Sequence, residues 1–157
     1  MVEKNANVND LQLVVFRLGN EEFGADISQV REIIRVGEIT SIPQSPPDIP
    51  GVINLRGEIT TVINLRKRMG MEDKPVDGNS RIVVVEVDKK TVGLMVDSVA
   101  EVKHVNTSQV EPISTVIVED AEQSCIMGVC KLKEHLLILI DLRKVLVDIS
   151  KNSCTAA

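Results

Sequence analysis

Aromatic side chains are almost missing from this chain: among 157 residues there are two phenylalanines and neither tryptophan nor tyrosine. Single-stranded nucleic acid needs aromatic stacking platforms, and proline-rich peptides need aromatic-lined grooves, so both ligand classes are disfavoured. Positive charge is also short, with 18 Lys and Arg against 23 Asp and Glu and a net charge of −5. That balance argues against a nucleic-acid or anionic-membrane surface. Long hydrophobic runs are lacking too. The longest, Leu136 to Ile140 and Ile82 to Val85, fall far short of the roughly 18 residues of a membrane span, so no membrane insertion is expected. The polar stretch Met1 to Asp10 has no apolar core of a secretory signal, and a cytoplasmic location is expected. Three cysteines cannot all pair and do not form a disulfide framework. Cys125 and Cys130 lack a CxxC partner, and His104 and His135 stand at no ligand-like spacing from them, so neither metal nor cofactor is expected. Catalytic signatures are missing as well: no Gly-rich phosphate loop, no GxSxG and no HExxH.

What the chain does have is a sequence written twice. Phe23 to Ile33 aligns without a gap on Val92 to Val102, with Gly24 on Gly93, Val30 on Val99 and Glu32 on Glu101. The same register puts Pro43 on Pro112. Further on, Gly51-Val52 matches Gly128-Val129, Leu55 matches Leu132, and Leu65-Arg66-Lys67 matches Leu142-Arg143-Lys144. The offset grows by eight residues between the blocks, so the second copy carries an insertion between Pro112 and Gly128. Two copies are too few for a solenoid. They predict two like subdomains packed face to face, within one domain of ordinary size.

Hydrophobic residues make up 43% of the chain and are dominated by Val, Ile and Leu, which favours sheet over helix. Strands are predicted at Leu11 to Leu18, Glu32 to Val36, Gly51 to Leu55, Ile59 to Ile63 and Ile82 to Val87, with equivalents in the second half. Turn chemistry separates them at Gly19-Asn20, Pro46-Pro47-Asp48 and Arg56-Gly57-Glu58. Short strands at regular spacing point to small barrels or sandwiches, and closing each sheet into a barrel would hide its Val- and Ile-rich edges. Helix is confined to short pieces. One covers 64–70, with Asn64 as N-cap and Gly70 as stop; another starts at Asp141 and extends toward Ile149. Asp26 and Gln29 have capping-box spacing and predict a turn there. Met71 to Ser80 reads as the linker between halves, and Lys151 to Ala157 as a tail.

The segment from Ile49 to Arg66 stands out. It reads as two strands flanking a tight turn at Arg56-Gly57, where Gly57 can take positive φ. Gly51 permits close backbone approach or a bend at a strand start. Arg56 is flanked by apolar strand residues, and Glu32 is its candidate partner, in a bidentate pair that would tie two strands together. Periodicity alone is equally met by Arg56 as a solvated turn residue. The repeat says more: its second copy keeps the apolar frame but has Lys131, Lys133 and Glu134 in place of Asn54, Arg56 and Gly57. Folding needs the frame; the Asn-Leu-Arg-Gly set, particular to the first half, marks a job there.

Val30-x-Glu32-Ile33, Pro43, Gly51-Val52-Ile53-Asn54-Leu55-Arg56-Gly57 and Val62-Ile63-Asn64-Leu65-Arg66 together resemble the CheW family of chemotaxis coupling proteins. Gly93-x-x-Val96-Asp97-x-Val99 and Ile126-x-Gly128-Val129 continue the resemblance, which covers roughly Leu11 to Val147. Thr61 stands where the family often has proline, and Asn64 where aspartate is usual; both remain compatible with a strand and a helix cap. The resemblance implies an all-β fold of two SH3-like, five-stranded β-barrel subdomains related by a pseudo-twofold. Within a domain spanning 11–147, the first would be formed mainly by 20–80 and the second by 81–147, with the terminal segments able to cross over. It implies a non-enzymatic adaptor with no cofactor, whose partners are the regulatory domain of the histidine kinase CheA and the cytoplasmic tip of methyl-accepting chemoreceptors. Val30, Glu32, Ile33, Arg56 and Val99 would line or brace a groove between barrels, near Gly51, Asn54, Leu55 and Gly57. As repeated apolar positions, Val30 and Val99 serve equally well as plain core.

Overall fold

The computed structural model describes residues 10–112 and 125–146. Eleven strands dominate it: β1 (Asp10–Leu18), β2 (Glu21–Asp26), β3 (Val30–Arg35), β4 (Gly51–Leu55), β5 (Glu58–Asn64), β6 (Arg81–Val87), β7 (Lys90–Val96), β8 (Ser98–Asn106), β9 (Val110–Pro112), β10 (Ile126–Lys131) and β11 (Leu136–Ile140). Among the described residues, helix is limited to 3₁₀ turns at Ile27–Gln29 and Thr107–Gln109 and to α1 (Leu65–Arg68) and α2 (142–146). The caps act as their residue types dictate. Asn64 Oδ1 accepts from Lys67 N, Gly70 takes φ 79° just past α1, and Asp141 Oδ1 accepts from Arg143 N at 3.0 Å. Asp26 caps its 3₁₀ turn by accepting from Ser28 N. The part of the predicted second helix beyond Leu146, the insertion's residues 113–124 and the tail all lie outside the described residues.

The strands form two sheets with the same order. One runs β3-β6-β7-β5-β4; the other runs β8-β1-β2-β11-β10 and adds the short edge strand β9. The sequence repeat maps one order onto the other term by term. Even β9 has a vestige in the first sheet, where Thr40 and Val52 exchange an isolated bridge with both N–H···O distances at 2.9 Å. Strand membership, however, does not follow a 20–80 and 81–147 division. The hairpin β1–β2 of the first copy lies in the sheet of the second, and the hairpin β6–β7 of the second lies in the sheet of the first. The crossover therefore comprises 10–26 in one direction and 81–96 in the other.

Hydrophobic alternation explains this exchange. Along β6, Ile82 and Val84 belong to a small core inside the first subdomain with Ile53 and Val62, while Val83, Val85 and Val87 face a larger core. Along β1, Leu13 and Val15 enter the second subdomain's own core, while Phe16 and Leu18 enter the larger one. That larger core is shared, drawing on Phe23, Val92, Leu94, Ile63, Ile140 and others from both sheets. β1 and β6, one strand of each exchanged hairpin, are thus buried on both faces, which is why Ile82 to Val85 is an unbroken apolar run rather than an alternating one. The chain's two phenylalanines stack across β1–β2 inside it, with ring centroids 5.9 Å apart. Among the described residues, no helix is long and apolar enough to cross a membrane.

Candidate functional site

Within the described residues the chain passes between sheets twice, from β2 to β3 and from β7 to β8, and each passage is followed by a β-bulge. Val30 pairs with Val85 but Glu32 with Val84, so Arg31 is the extra residue on β3. Phe16 pairs with Val99 but Val15 with Glu101, so Ala100 is the extra residue on β8. Arg31 and Ala100 are equivalent in the repeat; the bulge itself is repeated. A bulge resets which face each side chain takes. Val30 and Ile33, opposite Val85 and Val83, therefore share the face of the common core, and Val99 and Val102 do the same opposite Phe16 and Val14. Val30 and Val99 are partly buried against that core. Ile33 and Val102, three residues further along, are 41% and 47% exposed.

This places two apolar pairs, related by the internal twofold, at the margins of the shared core. Val102 was missed in the sequence although its equivalence to Ile33 is visible in the repeat. Strict alternation would have put positions 30 and 33 on opposite faces, and nothing local announces the bulge.

The polar part of the site lies beside β3. Arg56 Nη2 donates to Glu32 Oε1 at 3.0 Å. β3 and β4 are opposite edges of their sheet, so this pair joins edge to edge and marks closure of the strands into a barrel. The contact is a single one, not the bidentate pair expected. The Arg56 side chain is 78% exposed and reaches Glu32 from a turn rather than from a facing strand position. The turn is a two-residue hairpin loop in which both Arg56 (φ 54°) and Gly57 (φ 88°) are left-handed, the type I′ geometry that matches strand twist. Asn54 Oδ1 accepts from Gly57 N at 2.9 Å and locks it. A left-handed arginine is uncommon.

Leu55 is half-buried against the first subdomain's core, and with Glu32, Arg56, Arg31, Glu58 and Thr91 it lines a shallow groove of about 170 Å³. Gly51 stands apart at the other end of β4, roughly 13 Å away at strand rise. A Cβ there would lie 2.1 Å from the Thr40 carbonyl oxygen, at φ 156°, so Gly51 admits the Thr40 bridge and does not line the groove. Its repeat equivalent Gly128 admits β9 in the same way, 2.7 Å from Glu111 O.

Of the sequence-selected residues, the structure brings together Glu32, Leu55 and Arg56 with Asn54 and Gly57 bracing the turn, and sets Val30, Ile33 and Val99 on the seam. Burial pushes both described thiols, Cys125 and Cys130, above their ordinary pKa. Among the described residues, no cluster of three or more His, Cys, Asp or Glu side chains is placed to hold a metal ion. The arrangement offers apolar strips beside a charged rim, suited to recognising a helix with one apolar face.

Comparison with known proteins identifies the family. Residues 12–150 match the family model described as the CheW-like domain. The chain is 38% identical to the probable chemotaxis protein CheW of Rhizobium etli, over 88% of this chain and 89% of that one. It is 36% identical to the chemotaxis protein CheW of Klebsiella aerogenes, over 86% and 81%. The crystal structure of the scaffolding protein TtCheW from Thermoanaerobacter tengcongensis superposes with a TM-score of 0.76 at 38% identity, covering 83% of this chain and 88% of that one.

Proposed function

This chain belongs to the CheW-like domain family, and on that premise we propose that it is a non-enzymatic chemotaxis adaptor, located in the cytoplasm, that couples chemoreceptors to the histidine kinase CheA. Its partners are the regulatory domain of the kinase and the helical cytoplasmic tip of a methyl-accepting receptor. The observation that carries the reading is the pairing of the twofold-related strips Val30/Ile33 and Val99/Val102 with the Arg56–Glu32 bridge beside the first of them. Apolar positions take the buried face of a receptor helix, and the charged rim sets its register. Asn54 and Gly57 act indirectly, by holding Arg56 in its left-handed turn.

The test is kinase autophosphorylation in the presence of a receptor signalling fragment, with wild type and with Arg56→Ala. Arg56 is largely exposed, so its removal costs less than about 1 kcal/mol of stability. Stimulation by wild type that is lost with the folded variant supports the reading. A wild-type chain that binds neither partner and stimulates nothing overturns it.

A further inference from the structure

The second passage between sheets is made by Asp97, which lies between β7 and β8. Its carboxylate gathers groups from both sides of the seam. Arg66, the second residue of α1, donates from Nε to Oδ1 at 2.8 Å and from Nη2 to Oδ2 at 2.7 Å. Gly19, in the β1–β2 turn, donates its backbone N–H to Oδ2 at 2.7 Å. Asp97 N donates to Arg17 O at 3.0 Å, and Lys74 Nζ stands 3.9 Å from Oδ2. The Arg66 and Asp97 side chains are only 14% and 13% exposed. Arg66 Nη1 is itself held by Glu72 O at 2.7 Å. One carboxylate thus ties the first subdomain's helix, the turn of the hairpin lent to the second subdomain, and the start of β8. Two residues on comes Val99.

Among the described residues, the twofold gives this clasp no equal. Arg143, the repeat partner of Arg66, also points to a hairpin turn, but its Nη2 is 3.7 Å from Asp88 Oδ1 with both side chains about two-thirds exposed. Among the described residues, the two-pronged carboxylate clasp is formed at one of the two twofold-related positions.

We propose that Asp97 is a positioning residue for the partner groove: shared between Arg66 and Gly19, it sets the spacing of Val99 and Val102 from Val30 and Ile33. This rests on the adaptor reading for its consequence, though not for its geometry. Loss of the clasp leaves each subdomain's strand pairing intact and loosens their mutual placement, so a helix that contacts both strips loses affinity.

The experiment measures two things on the full chain. Spin labels at Arg35→Cys on β3 and His104→Cys on β8, with Cys154→Ser, report the distance across the seam; Cys125 and Cys130 are buried and take no label. Titration with a receptor signalling fragment reports affinity. Asp97→Asn is expected to broaden or shift the distance distribution while strand amide protection within each sheet is retained, and to weaken fragment binding about tenfold. Arg66→Lys, which keeps the charge but loses the two-pronged donor, gives the same result in smaller measure and serves if the first variant does not fold. An unchanged distance distribution in a folded variant overturns the proposal. So does a changed distribution with wild-type affinity. Should the wild-type chain fail to bind the fragment, the adaptor reading falls, and the distance measurement still decides whether Asp97 sets the seam.

Discussion

The two passages between sheets solve one topological problem in different ways. At the first, Asp26 leaves β2 and closes a 3₁₀ turn with its own neighbour, accepting from both the N–H and the hydroxyl of Ser28 at 2.9 Å. At the second, the repeat places Asp97 where the first copy has Ser28, and no turn intervenes before β8. Asp97 is instead satisfied by Arg66 and Gly19, 31 and 78 residues away in sequence. A local cap needs only two neighbouring residues and works in solvent. A distant clasp needs the whole fold around it, and in return fixes one subdomain against the other. Duplicated sequence therefore does not mean duplicated mechanics.

The sharpest way to break this contrast is Asp97→Ala, which leaves the largely enclosed Arg66 guanidinium without its carboxylate. A loss of about 3 kcal/mol is expected by denaturant unfolding. Acid should reveal the same interaction. The hydrogen bonds from Arg66 hold the Asp97 carboxyl below its ordinary 3.8, and Asp97 in turn raises the Arg66 pKa. A carboxyl lowered by folding stabilises fully above the unfolded pKa and loses that contribution as pH falls through the folded one. The stability gap between wild type and Asp97→Asn should stay constant near neutrality and narrow below about pH 3.8. A gap independent of pH would show that the charge of Asp97 is immaterial.

Asp26→Ala should cost less, about 1 kcal/mol, the usual worth of a cap. Amide exchange should rise at Ile27–Gln29 and leave the seam distance unchanged. A seam that loosens in Asp26→Ala as much as in Asp97→Asn would erase the distinction between the two passages. Arg143→Ala, removing the exposed mate of the Arg66 clasp, should shift stability by no more than about 0.5 kcal/mol. A larger loss would mean that the seam is pinned at both ends.

Much of this was legible in the sequence because its causes are local or repeated. Period-two strands, the Asn64 and Asp141 caps and the Arg56-Gly57 turn follow from residue types whose preferences act within a few positions. Glu32 could be named as the candidate partner of Arg56 because an arginine among apolar strand residues demands a carboxylate and Glu32 lies in the same half. Other features have causes that no short window contains. The paired bulges at Arg31 and Ala100 depend on how β3 and β8 meet β6 and β1. The single-pronged geometry of Arg56 depends on barrel closure, which brings opposite sheet edges together. Asp97 was visible only as part of a family pattern, since its donors lie in α1 and the β1–β2 turn.

By itself, then, the sequence determined that there are two like β units, where their strands and caps fall, and which block sets the first apart. Apolar periodicity and turn chemistry suffice for that, because they are paid out residue by residue. Only the tertiary structure decided which hairpin joins which sheet, and which side chains meet at the seam. Both faces of β1 and β6 are apolar, so burying them requires a core on each side. Exchanging the hairpins supplies it, and that exchange is a property of the packed pair, not of either copy.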